Sequence, residues 1–211
     1  MAINLANLPE IIAARRRDLH YVLHNLAAVE TPRFGGRKRI LLDRRLNALY
    51  RYWTGKRRER QMPARCDIDP LEIPGDIWPH IMLLDVVWDD GAPRFRYRRV
   101  GDVFWRGAGR EPTGLFINDV LPETAGYRRY VVGIYEEMAW RRRAMYTENG
   151  FALEGRDTPM SVKRISLPLS HDGETVNMVL AAHVFEHKNL TLEAAFALIL
   201  EMTELKREVL A

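Results

Sequence analysis

Ile81-Met82-Leu83-Leu84-Asp85-Val86-Val87-Trp88 is an apolar run broken once, by Asp85. Asp89-Asp90-Gly91 follows, and then the strict alternation Arg94-Phe95-Arg96-Tyr97-Arg98. A run this short, bounded by turn residues, predicts a buried strand. The period of two predicts a second strand with one aromatic and one cationic face. A short turn between two strands makes a hairpin, and the remaining elements are read outward from it.

Beyond the hairpin, glycines at 101, 107, 109 and 114 separate short apolar clusters such as Val103-Phe104-Trp105 and Leu115-Phe116-Ile117, a pattern that fits short helices and turns. Thr124 to Arg143 reads as one longer helix, because Tyr127, Val131, Ile134, Tyr135 and Met138 share a face. Thr124 is its expected N-cap. Three strands follow at about Met145 to Leu153, Met160 to Leu169 and Thr175 to Phe185, with Asp172-Gly173 as the hairpin signal between the last two. Thr191 to Leu210 is expected to be a helix, with Leu192, Phe196, Ile199, Met202 and Leu205 in one seam.

Before the hairpin, Leu8 to Val29 carries Ile12, Leu19, Val22 and Leu26 at steps of three and four apart from a gap at Arg15, which predicts a helix with one apolar face. Thr31-Pro32-Arg33-Phe34-Gly35-Gly36 breaks it. A second helix carries Leu42, Leu46, Leu49, Tyr50 and Trp53 on one stripe and ends near Gly55. The resulting organisation is an N-terminal helical extension and linker (1–38), a central domain with its leading helix (39–186) and a C-terminal helix (187–211).

The chain is 47% apolar and 28% charged over 211 residues, the balance of one globular domain with extensions. A lone cysteine, Cys66, excludes an internal disulfide and a CxxC metal site and points to a reducing compartment, so a cytoplasmic location is expected. Arg15-Arg16-Arg17 precedes an apolar stretch that His20, His24 and Asn25 interrupt, which is not the pattern of an export signal. No window is apolar enough for a membrane span. The formal net charge is +4, but between Arg37 and Arg65 eleven Lys and Arg face only Asp43 and Glu59. That local excess could meet phosphates, yet no helix-turn-helix pattern accompanies it, so a solvated face or an acidic protein partner is the preferred reading over nucleic acid.

Several stretches carry a more specific signature: Leu49-Tyr50-Arg51-Tyr52-Trp53, Met62-Pro63-Ala64-Arg65 with Asp67 and Asp69-Pro70, and Leu83-Leu84-Asp85. With Phe95-Arg96-Tyr97-Arg98 and Gly101, Thr113-Gly114, and Leu167-Pro168-Leu169-Ser170 before Asp172-Gly173, the span from Leu42 to Phe185 resembles the proteobacterial PAS-like family of stand-alone proteins known as the PAS_5 group. The resemblance implies an α+β fold, with a five-stranded antiparallel sheet, helices on one face and a pocket that holds a cofactor, a metabolite or only side chains. It implies signalling by a change at a dimer interface or adjoining helix, and no chemistry. No cofactor is expected. A flavin photoadduct needs a cysteine between Gly101 and Leu121, and haem ligation of the sensor-kinase type needs a histidine between Tyr127 and Arg143; neither is present.

Candidate ligand-binding residues are Phe95, Tyr97, Phe104, Trp105, Phe116, Tyr127 and His183, which could line a pocket for a flat apolar molecule or simply fill a core. Ile12, Leu19, Val22 and Leu26 are the candidate dimer interface. His20 and His24 have chelating spacing but no third ligand, and Asp67 and Asp69 read as turn caps beside Pro70, so no metal is expected. No GxSxG, HExxH or phosphate-loop motif occurs, hence no catalytic residue is assigned. The expected function is a non-catalytic sensory or signalling regulator acting by homodimerisation and protein docking, with a small ligand as its gate. The alternative is a small α+β enzyme with a cone-like pocket, of isomerase or hydratase type, in which His183 or Asp85 would be the base.

Overall fold

Asp90 and Gly91 take φ of 47° and 79°, the left-handed pair that a two-residue hairpin turn requires and that an Asp-Gly sequence tolerates. They join β1 (Ile81–Asp89) to β2 (Ala92–Val100), antiparallel, with Val86 opposite Phe95 and Leu84 opposite Tyr97. The computed structural model describes residues 43–105, 111–153, 160–186 and 199–210. These fall within one compact unit, Leu41–Ala211. Ile12, Leu19, His20, Val22, His24 and Leu26 lie outside the described residues.

Ahead of the hairpin, α1 (Arg44–Arg57) is capped by Asp43, whose carboxylate accepts from the Arg45 amide, and three 3-10 turns lead to Ile81. After it come α2 (Asp102–Trp105), α3 (Ile117–Val120) and the long α4 (Tyr127–Arg141). The strands β3 (Met145–Leu153), β4 (Met160–Leu169) and β5 (Met178–Glu186) follow, and then β6 (Ile199–Val209). The sheet runs β2-β1-β5-β4-β3-β6, with every pairing antiparallel.

Four expectations are corrected. The sheet has six strands, not five. The extra one comes from the segment read as a C-terminal helix: β6 pairs with β3 from Met145–Val209 to Leu153–Ile199. Its seam of three- and four-residue spacings is overridden by the unpaired backbone of β3, whose amides and carbonyls need partners. Thr124 does not cap the long helix, because Thr124–Gly126 forms a 3-10 turn and Gly126, at φ 72°, occupies the N-cap.

The fourth correction concerns the helices, which do not all lie on one face. Both sides of β4 and β5 are buried. On one side α4 lays Tyr127, Val131, Ile134, Tyr135 and Met138 over the face that carries Phe95, Arg164 and His183. The alternate residues, among them Ile165, Leu167, Leu180 and Ala182, face the other way and are equally buried. That is where α1 packs against β4 and β5 with Leu46, Leu49 and Trp53. The Trp53 indole donates to the Pro168 carbonyl at 2.9 Å, satisfying its one polar atom inside the core.

The cationic face of β2 stays in solvent: Arg94, Arg96 and Arg98 are exposed, and Arg96 and Arg98 clasp Asp85 at 3.3 and 2.9 Å. A row of charge on an edge strand discourages pairing with another sheet. At the end of β2, Gly101 donates its amide to the Ile81 carbonyl. A Cβ there would stand 2.5 Å from the Pro79 carbonyl oxygen, so the chain turns into α2 at a point only glycine allows.

Candidate functional site

The alternation of β1, β2 and β5 aims Met82, Tyr97 and His183 at the same space, and α4 closes over it with Tyr127, Val131 and Tyr135. The result is a cavity of about 60 Å³, completed by Val100, Phe104, Leu121 and Phe185 among others. An accessible volume of this size holds on the order of four waters, so it suits a ligand of a few heavy atoms rather than the larger molecules that fill pockets of about 300–1,000 Å³.

Most of the wall is apolar, and its polar part is concentrated at one end. His183 is buried, its ring packed edge-on to Phe104 at 5.1 Å between centroids. Its Nε2 lies 3.2 Å from the Tyr135 hydroxyl, and its backbone carbonyl stands 2.9 Å from His80 Nδ1. Burial, reinforced by the nearby Arg164 and His80 charges, holds the His183 imidazole well below its ordinary titration range, so the ring is neutral at pH 7. Burial likewise pushes the Tyr97 and Tyr135 hydroxyls up.

Arg164 lies behind this polar end, opposite His183 in the β4–β5 register and opposite Thr147 in the β3–β4 register. It is 0% exposed. Its Nη1 donates to Asn149 Oδ1 at 2.9 Å and Thr147 Oγ1 at 3.2 Å, and its Nη2 to the Tyr127 hydroxyl at 3.4 Å. The cavity therefore has apolar sides and a neutral imidazole–phenol pair at one end, with a guanidinium in the layer below.

Of the candidate ligand residues, Tyr97, Phe104, Tyr127 and His183 border this cavity. Phe95 and Phe116 do not. Phe95 is fully buried against the Tyr135 ring at 5.4 Å, and Phe116 lies under the Arg94 guanidinium, 4.0 Å from its ring centre. Trp105 closes α2. Tyr135 and Arg164 were missed in sequence, Tyr135 because it reads as one more apolar contact of a helix face. Arg164 was missed because a charged residue between Lys163 and Ile165 reads as solvent-facing.

Of the two bases offered for the enzyme alternative, His183 borders the cavity and Asp85 does not. Asp85 points to the opposite face from its neighbours Leu84 and Val86, into the pair with Arg96 and Arg98, whereas His183 points into the cavity. Asp67 and Asp69 act as turn caps, accepting from the Ala64 and Leu71 amides at 2.7 and 2.9 Å. Among the described residues no cluster of three or more His, Cys, Asp or Glu side chains could hold a metal.

Much of the basic segment is engaged within the fold. Arg45 pairs with Asp43, Lys56 with Glu72 and Arg60 with Asp67, and Arg57 lies over the Trp53 ring. Arg51, Lys56 and Arg58 line an open polar cleft together with Cys66, Asp67, Asp69 and Glu72, so that surface is mixed in sign. Among the described residues no helix is long and apolar enough to cross a membrane. No family model, curated protein or solved structure gives a significant match to this chain.

Proposed function

We propose that the protein is a non-catalytic, PAS-like sensory regulator of the cytoplasm that works as a homodimer through protein docking, with the cavity beneath α4 as its input. The observation that carries this reading is that cavity: an apolar chamber between the long helix and the sheet, polar at one end, built on the element order strand, strand, short helices, long helix, four strands. A small molecule there would touch α4, β1, β2 and β5 together, and occupancy would bias how the long helix sits on the sheet. Asp85 faces away from the cavity, so the enzyme alternative rests on His183 alone with the Tyr135 hydroxyl beside it, and the ion pairs of Arg45, Lys56 and Arg60 within the fold favour a protein partner over nucleic acid.

Native mass spectrometry of the full-length protein as purified is the test. A dimer is expected, with a small-molecule adduct that leaves on denaturation. A monomer that carries no adduct and captures no protein partner would overturn the reading.

A further inference from the structure

Arg164 carries a charge that no side chain described around it neutralises. A guanidinium stays protonated at any ordinary pH. Its three acceptors, Thr147, Asn149 and Tyr127, are all uncharged. Glu204, opposite Asn149 across β3 and β6, is held by Arg207 at 2.6 Å, and Glu137 is held by the same arginine at 2.7 Å. The Arg164 Nε is buried without a hydrogen-bond partner, while its neighbours are satisfied among themselves, Tyr130 with Glu204 and Asn149, and Ser166 with Tyr135. That Nε can only donate. The Arg164 guanidinium therefore meets only neutral acceptors, and one of its N–H groups meets none.

Burying a charge without an opposite partner is costly, and an apolar side chain of similar volume would fill the same space more stably. The arrangement makes sense where something that binds supplies the missing anion. Such a ligand has a place to enter: Tyr127, which accepts from Arg164, and Tyr135 and His183, beside it, form the polar end of the cavity. The rest of the wall, with Met82, Val100, Phe104 and Val131, is apolar and demands a hydrocarbon part.

We infer that the cavity beneath α4 takes a short organic carboxylate, its anionic end at Tyr127 and Tyr135 in front of Arg164 and its tail against Phe104 and Val131. The inference rests on the reading of the cavity as a sensor input and names the chemistry of that input. In a space this poor in water the attraction between carboxylate and guanidinium is only weakly screened, so charge rather than shape would dominate selection.

The experiment is isothermal titration of the full chain with butyrate and with butyramide, the neutral molecule of the same size. Butyrate is expected to bind at least tenfold more tightly. Val131→Phe, which fills the cavity and leaves Arg164 untouched, and Arg164→Met are each expected to weaken butyrate at least tenfold, with folding checked by circular dichroism. The comparison of the two ligands on the unaltered protein needs no variant, so it stands even if Arg164→Met does not fold. Equal binding of butyrate and butyramide would overturn the proposal while leaving a ligand-gated sensor intact. Unchanged butyrate affinity in folded Val131→Phe would overturn it by removing the cavity as the site. Failure of butyrate, propionate and benzoate alike to bind would overturn it too, and the mass spectrum of the purified protein would then decide the sensor reading separately.

Discussion

His183 shows how burial turns one residue into a determinant of stability. The folded protein refuses a proton on this imidazole because burial, Arg164 and His80 all oppose its charge. The unfolded chain accepts one near the ordinary value of 6.5. As pH falls below that value the unfolded state is therefore favoured, with a slope of up to about 1.4 kcal/mol per pH unit from this group. His80, held down by burial and by Arg45, acts in the same direction. Asp67, held low by the Ala64 amide and Arg60, and Glu186, held low by Lys163 and Ser161, lose their contributions only further down, below about pH 4.5. His183→Gln is thus expected to flatten the dependence of urea stability on pH between about pH 6.5 and 5 by close to that slope; an unchanged slope would show that the ring titrates freely. The importance of His183 was visible in the sequence as a polar residue in an apolar strand. Arg164 was not visible, since only the pairing of β4 with β3 and β5 shows that its face of the strand is covered.

Among the elements, α1 was read correctly from its stripe, and the structure adds what the stripe packs on. Trp53 is 1% exposed and spends its indole N–H on the Pro168 carbonyl. Trp53→Ala is expected to cost about 3–5 kcal/mol in a denaturant titration; a loss under 1 kcal/mol would mean that α1 is not part of the core. The hairpin and β3 to β5 were legible because period-two patterns and Asp-Gly turns are local signals. β6 was illegible for the opposite reason. Met202 and Leu205 keep helical spacing, while the demand that makes this segment a strand comes from β3, more than forty residues earlier in the chain. Hydrogen exchange tests that pairing: amides of β3 pointing toward β4 and toward β6 are both expected to be protected. Rapid exchange of the set facing β6, with the other set slow, would restore the helical reading of the C-terminal segment.

For the whole molecule, the α+β class and the order of its central elements could be read in advance, whereas the burial of both sheet faces and the coherence of the cavity could not. Tyr97, Tyr127 and His183 lie far apart in the chain, and only the order β2-β1-β5-β4, with α4 across it, sets them around one space. The account stands on that space being an input. A crystal structure of the full chain grown with butyrate tests it most directly. The expected result is one butyrate in the cavity, its carboxylate toward Tyr127 and Tyr135 and its chain against Val131; a cavity without butyrate, or butyrate bound only on the outer surface, would contradict it.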